Sequence, residues 1–182
     1  RWKDRAHGLG GDCAILEVGG DRVAVSIDLS VEGVHFRRDW MTPAEIGYRA
    51  AASALSDLAA VAAEPMALLL SIGAPADEPD DTFTSLADGV GDAASDAGAI
   101  IVGGDTSRSG QLIVDCCVIG RASAAVSRRG AKPGDRLVVK GALGGPLAAL
   151  TAWLAGASPA PEARARFVRP APRHAAARFL EA

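Results

Sequence analysis

The sequence predicts an α+β fold: a two-layer domain with the order β-α-β-α-β-β, in which two helices cover one side of a mixed four-stranded sheet. Two alanine-rich helical patterns alternate with short apolar stretches of strand length, which is typical of such a fold. The composition is that of a globular chain, since 49% of the 182 residues are hydrophobic and 23% are charged. This length accommodates one full domain, or one small domain and part of a second. We therefore expect a complete domain over residues 1–121, then a linker and the incomplete start of an α/β domain over residues 122–182.

The first predicted elements are strands followed by a long helix. A strand-like piece at 13–16 precedes a glycine turn, and apolar and polar residues alternate over 22–28. The motif Thr42-Pro43-Ala44-Glu45 combines an N-cap hydroxyl, a proline at the first helical position and a capping-box glutamate. The helix should continue to about Ala63, because Pro65 stops it.

The rest of the first domain alternates in the same way. An apolar run at 66–72 predicts a buried strand, and a second helix is expected over 81–97, ending at Gly98. Strands at 99–102 and 111–119 then enclose a polar loop at 103–110. In the second region we expect a strand at 136–140, a helix at about 143–154 and a long irregular connection marked by four prolines between 159 and 172.

Several functional classes are excluded or disfavoured. The net charge is −3, which argues against non-specific nucleic-acid binding, and no apolar stretch approaches the roughly 20 residues of a membrane span. The three cysteines form neither a disulfide framework nor a zinc motif, so free thiols in the cytoplasm are expected. There is no Walker-type phosphate loop, no dinucleotide-binding glycine motif and no nucleophile elbow.

Four aspartates lie at strand ends, glycine turns or in an alanine-rich helix: Asp12, Asp28, Asp57 and Asp105. Oxygen ligands gathered in this way are how proteins hold Mg²⁺, and Ser26 adds a hydroxyl on the strand face of Asp28. We expect Asp28 and Asp105 to meet in one magnesium cluster, because both end strands at the same edge of the sheet. Taken singly, each aspartate is better explained as a turn former or a solvent-facing residue, and only the four together favour a metal site.

Other candidates are more ambiguous. His35 is either a ligand-binding residue or a half-buried histidine at the start of a loop. Arg128 is either an anion-binding residue or a solvated cation. Backbone N–H groups in the run Gly103–Thr106 can approach an anion, although any tight loop would look similar.

Four motifs in this order closely resemble the thiamine-monophosphate kinase family, which is related to aminoimidazole ribonucleotide synthetase and selenophosphate synthetase. They are Gly10–Ala14, Ser26–Phe36, Leu55–Ala60 and Gly103–Thr106, and the stretches 127–135 and 169–173 fit the same family. Within Ser26–Phe36, the sequence Val-Glu-Gly-Val-His-Phe favours this family over its relatives. The resemblance covers nearly the whole chain.

The resemblance implies ATP-dependent phosphorylation of thiamine monophosphate to thiamine diphosphate by direct transfer. It implies Mg²⁺ binding by an oxygen cluster, ATP contacts from Gly104, Asp105 and Arg128, and a substrate contact from His35. The implied Mg²⁺ ligands are Asp12, Ser26, Ile27, Asp28, Asp57 and Asp105. Ile27 stands where the family usually has Thr, so it offers only a backbone carbonyl.

The expected assembly is a symmetric homodimer, because one face of the predicted sheet carries apolar residues that nothing in the sequence covers. The family also has a second acidic motif in a C-terminal domain, so we expect a chain shortened at its C-terminal end. Two alternatives stay open: another small-molecule ATP-dependent enzyme of the superfamily, and a non-catalytic dimerisation module.

Overall fold

The computed structural model describes residues 10–123 and 125–181, so residues 1–9 of the predicted first domain lie outside it. Five strands and five helices are formed in this part of the chain. In chain order they are β1 Ala14–Val18, β2 Asp21–Val31, α1 Pro43–Ala60, β3 Glu64–Ala74, α2 Asp80–Ala97, β4 Ile100–Arg108, β5 Ile113–Arg121, α3 Gly145–Leu154, α4 Pro161–Val168 and α5 His174–Glu181.

The strands form one mixed sheet in the order β1-β2-β5-β3-β4, which confirms the α+β class. Only β3 and β4 are parallel, and the other neighbours are antiparallel. The sheet has five strands rather than the predicted four, because β1 folds back on β2 through the turn at Gly19-Gly20 and adds an edge strand. Ala14 thereby pairs with Val25.

Helices α1 and α2 pack closely on each other and cover one face of the sheet. Thr42 and Glu45 form the predicted capping box at the start of α1. Gly47 and Gly89 allow the two helices to approach, because a methyl group at either position would overlap the backbone of the other helix. The buried side chains between helices and sheet include Leu55, Leu58, Leu68, Leu86 and Val118.

The opposite side of the sheet, which we call the open face, is lined by Ile27, Leu29, Ile100 and Ile119. Ile27 and Ile100 are 64% and 65% exposed. The alternation of side chains along each strand places the buried leucines on the helix side and these residues on the other. The apolar second face expected from the sequence is therefore present.

Three sequence predictions are wrong. The predicted loop at 103–110 is largely strand, because β4 continues beside β3 as far as Arg108. The predicted strand at 136–140 is not formed: no neighbouring strand lies beside it in the described part of the chain, and Leu137 is 97% exposed. The region between the prolines contains α4, because Pro161 occupies the first turn of a helix instead of ending one.

Helix α3 agrees with the predicted helix and docks on the sheet domain through aromatic side chains. The rings of Trp40 and Trp153 stack with centroids 5.2 Å apart, and Phe167 contacts Trp153 edge-on at 5.1 Å. Ala149 of α3 is fully buried. None of the helices in residues 10–123 and 125–181 has the length and apolar character to cross a membrane.

Candidate functional site

The Ser26 hydroxyl lies at the centre of a small oxygen cluster. Its Oγ is 2.6 Å from Oδ2 of Asp57 and 3.0 Å from the carbonyl oxygen of Asp12. Strand β2 supplies Ser26, the turn before β1 supplies Asp12, and α1 supplies Asp57. Three predicted residues that are far apart in the sequence therefore meet.

Negative charge is concentrated in this cluster. Burial raises the pKa of Asp57, and the charges of Asp28 and Asp12 raise it further. Asp28 accepts a hydrogen bond from the Ser53 hydroxyl at 3.0 Å. Carboxylates that disfavour one another's ionisation are stabilised by a nearby cation, so the charge distribution suits a metal ion.

Asp12 already has a cationic partner. Arg128 forms a bidentate ion pair with it, with its Nε 2.9 Å from Oδ2 and an Nη nitrogen contacting Oδ1. These hydrogen bonds hold the pKa of Asp12 below its ordinary value. Arg128 thus lies at the predicted site, but bound to a predicted metal ligand. A groove of about 420 Å³ opens here, lined also by the Gly10-Gly11 turn and by Ile27.

Asp105 lies elsewhere on the sheet. Asp28 is level with Gly104 across the sheet, whereas Asp105 is level with Leu29. Because β5 and β3 separate β2 from β4, about 14 Å lies between these strands. The register also places Asp105 on the open face and Asp28 on the helix side. The expectation that Asp28 and Asp105 share one cluster is therefore wrong within a single copy of the chain.

His35 lines a second cavity of about 460 Å³. Its Nδ1 accepts a hydrogen bond from the backbone N–H of Val31 at 3.1 Å, which fixes the ring. The cavity lies where α1 and the loop after β2 meet α3 and α4. Its aromatic walls are Phe36, Trp40 and Phe167, and its polar groups include Ser30, Arg37, Arg49 and Ser53.

Ser53 connects the two sites, because it lines the His35 cavity and donates to Asp28. Sequence reasoning missed Ser53 and Arg49, although a signal was present. Arg49, Ser53 and Asp57 are spaced by four residues, which places them along one face of α1. The sequence analysis did not single out this spacing, because the three residues are embedded in an alanine-rich helix.

The oxygen-only donor set of Asp12, Ser26, Asp28 and Asp57 has the chemistry that Mg²⁺ prefers. No three acidic, histidine or cysteine side chains are arranged to hold a metal ion in the part of the chain that the structure describes. Asp12 is paired with Arg128, and Asp105 lies across the sheet. The donors fit the ion, but Asp12 must first release Arg128.

The chain is similar to several known proteins. Residues 10–122 match the family described as AIR synthase related protein, N-terminal domain. The chain is 38% identical over 167 residues to the thiamine-monophosphate kinase of Mycobacterium tuberculosis, covering 91% of this chain and 50% of the relative. It is 36% identical over 174 residues to the thiamine-monophosphate kinase of Escherichia coli K12, covering 91% and 53%.

A solved structure of AaThiL complexed with AMPPCP and TMP superimposes with a TM-score of 0.91 at 27% identity. The match covers 98% of this chain and 59% of that one. The chain therefore spans about half the length of the curated relatives it matches.

Proposed function

We propose that the chain, which belongs to the family of AIR synthase related proteins, takes part in the ATP-dependent phosphorylation of thiamine monophosphate to thiamine diphosphate. The observation that carries the proposal is the Asp12–Ser26–Asp57 cluster, which lies inside the matched region of residues 10–122. The similarity to thiamine-monophosphate kinases over 91% of the chain supports the choice of acceptor.

The proposed roles follow from the contacts. Asp12, Ser26, Asp28 and Asp57 would hold Mg²⁺, and Ile27, which lines the same groove, would add its backbone carbonyl oxygen. Bound Mg²⁺ would neutralise the charge of the transferred phosphate, which is the main requirement of phosphoryl transfer. Arg128 would exchange its partner, leaving the carboxylate of Asp12 for a phosphate of ATP. After this exchange Arg128 would be paired with a phosphate, and the Asp12 carboxylate would be paired with Mg²⁺.

The acceptor would enter the His35 cavity. Its link to Asp28 through Ser53 places that cavity beside the proposed metal ligands. Its aromatic walls suit a flat heterocyclic ring.

Gly104 and Asp105 would complete the site from a second copy of the chain. Strand β4 is an edge strand with its whole length exposed, and the open face beside it is apolar. A symmetric homodimer would cover this face and bring Asp105 toward the other copy. A cytoplasmic location is also part of the proposal, supported by the free thiols of Cys13, Cys116 and Cys117.

The test is calorimetric titration of the 182-residue chain with AMPPCP, with and without Mg²⁺. Asp57→Asn is expected to lower the Mg²⁺-dependent affinity at least tenfold, because it removes a charged ligand. Asp88→Asn, an exposed change on α2, is the matched control and should have no effect. In the same samples, light scattering is expected to give the mass of a dimer.

Nucleotide binding that needs neither Mg²⁺ nor Asp57 would contradict the proposed metal cluster. ADP release measured with thiamine monophosphate and a panel of other phosphorylated acceptors tests the substrate. A faster reaction with a different acceptor would favour another enzyme of the family, and dimerisation without nucleotide binding would favour a structural module.

A further inference from the structure

We infer that Arg49 is the anion-binding residue of the His35 cavity, where its guanidinium holds the phosphate of a phosphorylated aromatic acceptor. The inference rests on the proposed function and specifies how the acceptor is recognised.

Arg49 is half-buried, and no ion pair joins it to a carboxylate in the part of the chain that the structure describes. Its Nη1 donates to the backbone carbonyl of Phe167, and its guanidinium carbon lies 4.0 Å from the centre of the Phe167 ring. Burial lowers the pKa of Arg49. A guanidinium has five N–H groups, so these contacts leave donors for a ligand.

Comparison with neighbouring arginines makes Arg49 distinctive. Arg37 lines the same cavity but pairs with Asp39 at 2.7 Å. Arg164, on the same side of the molecule, pairs with Glu45 at 2.7 Å. Burying a cation without an anionic partner is costly, and a bound phosphate would remove that cost.

Arg49 and Ser53 both line the cavity and lie one helical turn apart on α1. Ser53 in turn contacts Asp28. An anion held by Arg49 is therefore near the oxygen cluster, while the rings of Phe36 and Trp40 line the rest of the cavity. The volume of about 460 Å³ is suitable for a small heterocyclic molecule.

The experiment compares the binding of thiamine monophosphate, thiamine and inorganic phosphate to the 182-residue chain by isothermal titration calorimetry. Arg49→Met is expected to lower the affinity for thiamine monophosphate between tenfold and a hundredfold, roughly the effect of losing a hydrogen bond to a charged group. The affinity for thiamine should stay within about twofold. Arg166→Met is the matched control, because Arg166 is paired with Glu162 at 2.7 Å and does not line the cavity, so the affinities for all three compounds should stay unchanged.

Two further variants separate binding from folding. Phe167→Leu removes the ring beneath Arg49 but keeps the charge, so the preference for the phosphorylated ligand should remain. Arg49→Lys also keeps the charge and should retain most of that preference if Arg49→Met proves unfolded by circular dichroism. An equal loss of affinity for thiamine and thiamine monophosphate in the Arg49 variants would overturn the inference while leaving the proposed function intact.

Two further outcomes distinguish the role of Arg49 from the identity of the acceptor. If inorganic phosphate binds in an Arg49-dependent way but thiamine monophosphate gains nothing over other phosphorylated compounds, the inference stands and the proposed acceptor is wrong. If inorganic phosphate and thiamine monophosphate bind equally well to the wild-type chain and to Arg49→Met, the inference is overturned.

Discussion

The sheet domain, residues 10–122, and the helical segment, residues 145–181, are stabilised in different ways. The sheet domain buries a continuous core between its helices and one face of its sheet, with Leu55, Leu68 and Val118 fully enclosed. Helix α3 buries only Ala149 completely, and its Leu147 and Leu154 are exposed. The helical segment therefore depends on docking to α1 and the loop at 33–40, whereas the sheet domain has a core of its own.

The two parts of the candidate site depend on these regions to different degrees. The oxygen cluster around Ser26 combines three positions of the sheet domain, and Arg128 reaches it from the linker. The His35 cavity needs both regions, because Leu150, Leu154 and Phe167 form one of its walls. Changes in the helical segment should therefore affect acceptor binding more than metal binding.

The largest expected effect comes from the core of the sheet domain. Leu55→Ala is expected to lower the free energy of unfolding by about 2–5 kcal/mol, because it opens a cavity beneath α1. Urea unfolding followed by circular dichroism measures this change. Leu147→Ala on α3 is the control and should change the free energy by no more than about 0.5 kcal/mol, since Leu147 is 66% exposed. Similar losses for both variants would contradict the view that the sheet domain supplies most of the buried core.

A smaller effect is expected at the aromatic contact between the regions. Trp153→Ala removes the stack on Trp40 and the edge contact with Phe167, and such aromatic pairs contribute about 0.5–1.5 kcal/mol each beyond burial. Hydrogen–deuterium exchange should become faster in residues 145–168 and stay slow in β5. In the unchanged protein, residues 143–181 should already exchange faster than 23–119. Equal acceleration in β5 would contradict the independence of the sheet domain.

The local signals in the sequence predicted most of the sheet domain. The capping box at Thr42, the continuous apolar run of β3 and the left-handed Gly98 after α2 all have the predicted roles. These features depend on neighbouring residues alone. The prediction of a loop at the polar, glycine-rich end of β4 was wrong. The strand conformation there comes from pairing with β3, with Gly104 packed against the backbone of Leu70.

The candidate site was predicted only in part for a similar reason. Ser26 and Asp57 meet because a strand and a helix pack with a particular register, and the acidic motifs indicated both residues. The position of Asp105 depends on the strand order and on a bulge between Leu68 and Leu69, neither of which is visible in local patterns. The pairing of Arg128 with Asp12 joins residues 116 positions apart.

The smallest effect is expected at the ion pair that joins α4 to α1. Arg164 contacts the Glu45 carboxylate at 2.7 Å and 2.8 Å, and both side chains are partly exposed. Arg164→Met should lower the free energy of unfolding at pH 7 by about 0.5–1 kcal/mol, as expected for a partly solvated pair. The measurement is urea unfolding at low salt, because added salt screens the pair.

The pH dependence separates this ion pair from simple packing. Burial alone would raise the pKa of Glu45, but the hydrogen bonds from Arg164 and Thr42 outweigh it and hold the pKa below the ordinary value of 4.5. The stabilisation is therefore complete above pH 4.5 and is lost as the pH falls through the lowered pKa of the folded state. The difference between wild type and Arg164→Met should shrink as the pH falls below 4.5, whereas a packing defect would persist there. Arg166→Met is the matched control, because Arg166 pairs with the exposed Glu162 of its own helix and should leave the contact between the two regions unchanged.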